Sequence, residues 1–154
     1  MSKLFVDKSI EVNASSQRVW DVLTQREHSA EWASEFAAGG PGLYIESAWD
    51  LGSPVLWKDK KGRIVVEGIV TAREGHSLLR FTVLDVREKP PQVAPEDGIT
   101  FKLTERDGRT TLWVSQGDFA HMPDGDKYRD LSVEIWDRAL ARVKRLAEHP
   151  GRPA

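Results

Sequence analysis

Apolar positions recur along this chain with two different periods, and the changes of period mark the elements. Residues 3–12 predict a strand ending in the alternation Ile10, Glu11, Val12. Beyond it, Val19, Trp20 and Leu23 fall at i, i+1 and i+4, a helical face. Ser15 is suited to cap that helix, because its hydroxyl can accept from a free first-turn N–H. A second short helix is predicted over Glu27–Glu35, with Trp32 inward. The middle of the chain reads as strands over Leu43–Trp49, Pro54–Lys58, Arg63–Arg73 and Leu78–Val86, with a hairpin turn at Asp59–Gly62. Ile99, Phe101 and Leu103 then alternate with Thr100, Lys102 and Thr104. After a turn at Arg106–Gly108, Leu112 and Val114 alternate with Thr111, Trp113 and Ser115. Such period-two patterns belong to an antiparallel sheet with one apolar face. From about Asp126 to Glu148 the chain has no Pro or Gly, and Trp136, Leu140, Val143 and Leu146/Ala147 recur at helical spacing. At 1.5 Å per residue that helix would be roughly 35 Å long, enough to cross a sheet.

Gly and Pro punctuate two internal loops, Ala37–Gly42 and Glu88–Gly98. The first, with Gly39-Gly40-Pro41-Gly42, lacks the Lys-Ser/Thr of a phosphate loop and reads as a flexible entrance loop. Residues 1–148 are expected to form one domain and 149–154 a short tail.

The order strand, two short helices, six strands, long helix resembles the α+β helix-grip (START/Bet v-like) fold of the START-like (SRPBCC) superfamily. Local motifs look most like its activator of heat shock protein 90 ATPase homologue family, the single C-terminal-type domain. They are Ile10-x-Val12-x-Ala14-Ser15 with Val19-Trp20-x-x-Leu23-Thr24, Glu31-Trp32, and Glu46-Ser47-Ala48-Trp49 through Gly52-Ser53-Pro54-Val55-Leu56-Trp57. Further along come Gly62 through Glu67-Gly68-x-Val70, Thr110-Thr111-Leu112-x-Val114-x-Gln116-x-x-Phe119, and Trp136-x-x-Ala139-Leu140-x-x-Val143-Lys144. The resemblance implies a curved seven-stranded antiparallel sheet wrapped around the C-terminal helix, with a cavity between them in many relatives. Lipid carriers, hormone receptors, polyketide cyclases and co-chaperones share this fold, so it does not choose among them. Where many relatives carry a His in the last strand this chain has Gln116, which can hydrogen-bond but not relay a proton.

Composition narrows the classes. The 154 residues carry 22 Lys plus Arg against 24 Asp plus Glu, a net charge of −2, which argues against a general nucleic-acid binder. With no cysteine there is no disulfide, thiolate metal site or Cys nucleophile. No apolar run approaches the roughly 20 residues of a membrane span. The N-terminus meets charge at once, so a cytoplasmic location is expected.

Six Trp outnumber five Phe and two Tyr. Trp20 and Trp32 read as core residues. Trp49, Trp57 and Trp136 fall on the walls of the implied cavity, where an indole offers a flat apolar surface and one donor. The expected lining is Trp49, Trp57, Phe81, Phe101, Gln116, Trp136 and Leu140. Asp118 continues the inward register of Gln116, and Ser47 is a weaker polar candidate. Trp113 is out of phase with Leu112 and Val114 and marks the outer face as a candidate partner or dimer surface. His28 and Glu31 share a helix face without the further ligands a metal needs, and Asp124-Gly125-Asp126 reads as a helix cap. No acid–base pair or nucleophile elbow is recognisable, and neither cofactor nor metal is expected.

The leading expectation is a monomer or homodimer that binds a small hydrophobic or aromatic molecule between sheet and helix. The alternative is a co-chaperone-like activator of a heat-shock chaperone ATPase, acting by protein–protein contact. A cyclase or hydrolase ranks third.

Overall fold

The computed structural model describes residues 4–37, 42–85, 98–121 and 123–149. The tip of the predicted entrance loop, the Pro-rich loop with the end of the strand drawn to Val86, and the predicted tail beyond His149 lie outside the described residues.

Alternation in the sequence becomes alternation across a sheet. Strand β1 (Val6–Val12) buries Val6 and Val12 and exposes Asp7, Ser9 and Glu11. It pairs antiparallel with β8 (Arg109–Gln116), placing Ile10 opposite Leu112. β8 pairs with β7 (Ile99–Arg106), with Phe101 opposite Val114 and Lys102 opposite Trp113. The sheet continues through β5 (Leu78–Phe81), β4 (Ile64–Glu74), β3 (Pro54–Asp59) and β2 (Leu43–Glu46). This seven-strand antiparallel path is curled, and a two-residue strand, β6 (Leu84–Asp85), pairs with β4 beside it. The predicted strand Leu78–Val86 is thus two pieces, both paired with β4, of which only the first also pairs with β7.

Between β1 and β2 run α1 (Ser16–Thr24) and α2 (Arg26–Trp32), followed by a 3-10 turn over Ala33–Ala37. Ser15 caps α1 as its hydroxyl predicts, with Oγ accepting from the Arg18 N–H at 3.2 Å. The predicted second helix therefore tightens at Ala33 instead of running on as one α-helix to Glu35.

The long helix α3 (Gly125–Glu148) lies against the sheet and buries Trp136, Ala139, Leu140, Val143, Leu146 and Ala147, the predicted stripe. Asp124 stands at its cap position in the left-handed region, with φ 57°, and its side chain makes no capping bond. The cap expected from this Asp is therefore positional only, because a capping side chain needs an extended backbone to reach the first turn.

The far end of α3 is tied down from several directions. The Arg18 guanidinium donates to the Leu146 carbonyl at 2.8 Å, Lys144 donates to the Glu11 carbonyl at 2.8 Å, and Glu148 accepts from the Asn13 N–H at 2.7 Å. Among the described residues no helix is long and apolar enough to cross a membrane.

Candidate functional site

Three elements project aromatic rings into the space between sheet and α3. From the sheet come Trp57 (β3), Phe81 (β5) and Phe101 (β7), all inward in the two-residue period and all buried. From the helix comes Trp136, fully buried, with buried Leu140 one turn later. The third contribution is Trp32 at the end of α2 and Phe36 on the following 3-10 turn.

Trp32 is the hub. Its ring stacks on Trp136 at 6.0 Å and 27°, and meets Trp57 and Phe101 edge-on at 6.4 and 6.2 Å. Phe36 sits edge-on to both Trp57 (5.6 Å) and Trp136 (5.0 Å), and it is only partly buried. Phe101 continues the cluster to Trp136 at 5.7 Å and to Phe81 at 6.1 Å, and Phe81 to Trp49 at 5.5 Å. These separations fall in the range where aromatic pairs are attractive, about 0.5–1.5 kcal/mol each beyond the area they bury.

The structure thus brings all seven sequence-predicted lining residues to one region. Five join by ring contacts, Leu140 by its place on α3, and Gln116 by a hydrogen bond. Gln116 is half-buried, and its Oε1 accepts from the Trp136 Nε1–H at 2.9 Å. An indole nitrogen only donates, so Gln116 must turn its oxygen to Trp136, leaving its amide NH2 directed elsewhere.

Trp49 differs from expectation in one respect. It lies beyond the end of β2, with φ 62°, unusual for so bulky a residue. Its conformation is fixed from every side. Its backbone N–H donates to Ser47 Oγ at 2.9 Å, its indole to the Thr24 carbonyl at 2.9 Å, and its carbonyl accepts from Arg73 Nη1 at 3.0 Å. Ser47 is thereby occupied with local structure. Asp118, also read as inward, is buried and accepts from the Leu4 and Ala120 N–H groups, each at 2.8 Å.

The remaining interior donors can be counted. Trp32 Nε1 donates to the Val22 carbonyl at 3.1 Å. Trp57 Nε1 is buried and has no hydrogen-bond partner among the described residues. Buried charge is sparse. Among the described residues only Asp59 and Asp118 are both buried and ionisable. Asp59 belongs to the β3–β4 turn, where the Arg63 N–H and, beyond it, the Arg63 guanidinium and Lys61 N–H hold its pKa below the ordinary value.

Charged pairs sit beside the rings. Glu35, next to Phe36, accepts from Arg142 Nε at 2.5 Å and Arg138 Nε at 3.0 Å, joining the 3-10 turn to α3. Burial works to raise its pKa, but the bonds and charge of these two arginines together outweigh it and hold the carboxyl below its ordinary value. Glu46 on β2 is likewise held low, first by Lys58 at 2.9 Å, with Arg26 at 3.3 Å adding its charge.

On the outer sheet face Trp113 is half-buried, as its phase predicts. Its indole donates to Asp7, and Lys102 Nζ stands 4.9 Å from the ring centroid.

This fold and motif order agree with a family match. A family model described as Activator of Hsp90 ATPase homolog 1-like protein matches residues 13–148. The chain belongs to this family. The solved structures it resembles share the fold at low identity. A Cytophaga hutchinsonii protein solved in solution aligns with a TM-score of 0.71 at 22% identity, covering 96% of this chain and 97% of that one. A Mesorhizobium loti protein solved by crystallography gives 0.71 at 17%, covering 96% and 99%. The solution structure of an Aha1 dimer from Colwellia psychrerythraea gives 0.67 at 14%, covering 96% and 98%. A comparison with curated protein sequences finds no significant match.

Within this chain, sequence reasoning missed two residues of the cluster. Trp32 reads correctly as buried, but helical period does not show that it stacks on Trp136, about a hundred residues away. Phe36 carries no signal beyond one aromatic ring before a Gly-rich loop.

Proposed function

We propose that this protein binds a small hydrophobic or aromatic molecule between the sheet and α3. The observation that carries the reading is the continuous buried cluster of aromatic rings from Trp49 to Phe36, which ends in a ring that is partly open to solvent. A flat neutral ligand would gain the edge-on and stacked contacts that Trp57, Trp136, Phe101 and Trp32 make with one another. Phe36 is the movable wall. It stands on a short 3-10 turn and not within the sheet or α3.

The test is thermal unfolding with a panel of neutral bicyclic aromatics. A ligand at a hundredfold excess over Kd stabilises the fold by about 2.7 kcal/mol. For a domain of this size that raises Tm by about 5–10 °C, with a change in tryptophan fluorescence. A panel that moves neither Tm nor fluorescence overturns the reading.

Family membership favours a second reading, a co-chaperone-like activator of a chaperone ATPase acting through its surface. The outer face around Trp113 is its candidate surface, although the Trp113 N–H is already engaged by Asp7. Native mass spectrometry with a purified chaperone of the Hsp90 class, paired with its ATPase rate, tests it and reports monomer or homodimer in the same spectrum. No complex and an unchanged rate would remove it.

A further inference from the structure

The interior indoles are unequal as hydrogen-bond donors, and the inequality bears on what the site takes. Trp32 gives its proton to the Val22 carbonyl, Trp49 to the Thr24 carbonyl and Trp136 to Gln116. Trp57 gives its proton to no group among the described residues, although it is only 4% exposed. A buried donor left unpaired costs about 1–3 kcal/mol, so native interiors pair nearly all of theirs.

The rings that pack on Trp57 offer neither its N–H nor a bridging water an acceptor. An enclosed water needs two to four polar contacts. The rings against Trp57 are Trp32, whose own N–H is spent, and Phe36, which has no polar atom. The other buried side-chain atom without a partner among the described residues is Arg18 Nε. It too is a donor, and its guanidinium bonds Leu146, ten residues and about 15 Å along α3 from Trp136.

Charge narrows the class further. Among the described residues no buried cation stands ready to neutralise an anion, and both buried carboxylates are engaged by backbone N–H groups. A charged ligand would lose its hydration without compensation.

We infer that the ligand of this site is a neutral aromatic molecule bearing an acceptor oxygen, a ketone, quinone or aryl ether, and that the Trp57 Nε1–H holds that oxygen. The inference rests on the ligand-binding reading above. Phe36 is the partly exposed ring of the two packed on Trp57, and it is the one that turns aside to admit the ligand.

A matched pair of probes tests this, 1-indanone and indane, which differ by a carbonyl in place of one methylene. Affinities are measured by calorimetry for the wild type and for Trp57→Phe. The ketone's greater cost of leaving water is common to both proteins and drops out of the comparison. Trp57→Phe is expected to weaken indanone by about five- to tenfold, the value of one neutral hydrogen bond, and to change indane by less than twofold. Equal loss for both probes would make Trp57 a packing residue and overturn the inference while leaving the site. Binding of neither probe to the wild type would overturn both. Replacing Trp57 by 3-benzothienylalanine keeps the shape and removes only the N–H, so the comparison survives if Trp57→Phe folds poorly. An unchanged indanone affinity in that variant would also refute the bond.

Discussion

The pair of arginines on Glu35 joins the turn that carries Phe36 to the helix that carries Trp136, so Glu35→Gln perturbs the hinge of the proposed site. In the wild type one carboxylate oxygen accepts from Arg138 and the other from Arg142. An amide offers one acceptor and turns its NH2 donors toward the second guanidinium. Bonds to charged groups are worth about 1.5–3 kcal/mol when shielded. The Glu35 side chain is 17% exposed, but Arg138 and Arg142 are 56% and 38% exposed, so solvent screening reduces the joint contribution to about 1–2 kcal/mol. For a domain of this size that is a fall in Tm of about 2–8 °C at pH 7.

The pH dependence has a definite sign. The folded-state pKa of Glu35 lies below the ordinary value of 4.5, so the unfolded chain binds more protons in the interval between the two. Stability from this carboxylate is therefore whole above about pH 4.5 and is lost as pH falls through the folded value. Glu46, Asp59 and Glu148 are held low as well, but they are common to both proteins and cancel in the difference. Thermal unfolding by circular dichroism at pH 7, 5, 4 and 3 should show the two curves apart at neutral pH and converging in acid. A gap that stays constant down to pH 3, or no gap at pH 7, would refute this account.

Three further substitutions follow from the local geometry. A Cβ on Gly68 would stand 1.7 Å from the Thr82 carbonyl oxygen, so Gly68→Ala should destabilise by about 3 kcal/mol or more; Gly75→Ala, at φ +49° with nothing within 4 Å, should cost only about 1–2 kcal/mol, both read from urea midpoints. Gln116→Leu strands the Trp136 N–H and should cost about 1–3 kcal/mol in the same assay, while a variant as stable as the wild type would remove the bond from the account.

Period carried much of this structure. It was enough to place Phe101 on the inner face and Trp113 on the outer one, because a strand alternates strictly and one register error would have exchanged them, whereas Trp57 was placed through the family resemblance. It was also enough to find the buried stripe of α3. It failed where local bonds compete with the ladder. The run to Trp49 looks like strand, yet Ser47 Oγ takes the Trp49 N–H and the backbone turns to positive φ, so β2 stops at Glu46. The run Leu78–Val86 fails for a different reason. β5 lies between β4 and β7, and after Phe81 the chain breaks the ladder and resumes on β4 at Leu84 without β7, a loss of one partner that no local pattern encodes. The site was legible as a set of residues but not as a set of contacts. Nothing in the spacing of Trp32, Gln116 and Trp136 says that the first stacks on the third and the second receives its proton.

That distinction bears on how a filled interior can still be a binding site. An interior selected for stability alone would pair Trp57, since an unpaired donor forfeits about what one or two aromatic contacts contribute. Three other indoles of the same cluster show that this chain can do so, with acceptors drawn from α1 (the Val22 and Thr24 carbonyls) and from β8 (Gln116). The deficit falls on one of the two indoles that pack against Phe36, the partly exposed ring of the cluster; the other, Trp136, is paired with Gln116. The position of the unpaired indole makes displacement of Phe36 by a ligand with an oxygen the step that both keeps the aromatic contacts and completes the hydrogen bonding of the interior.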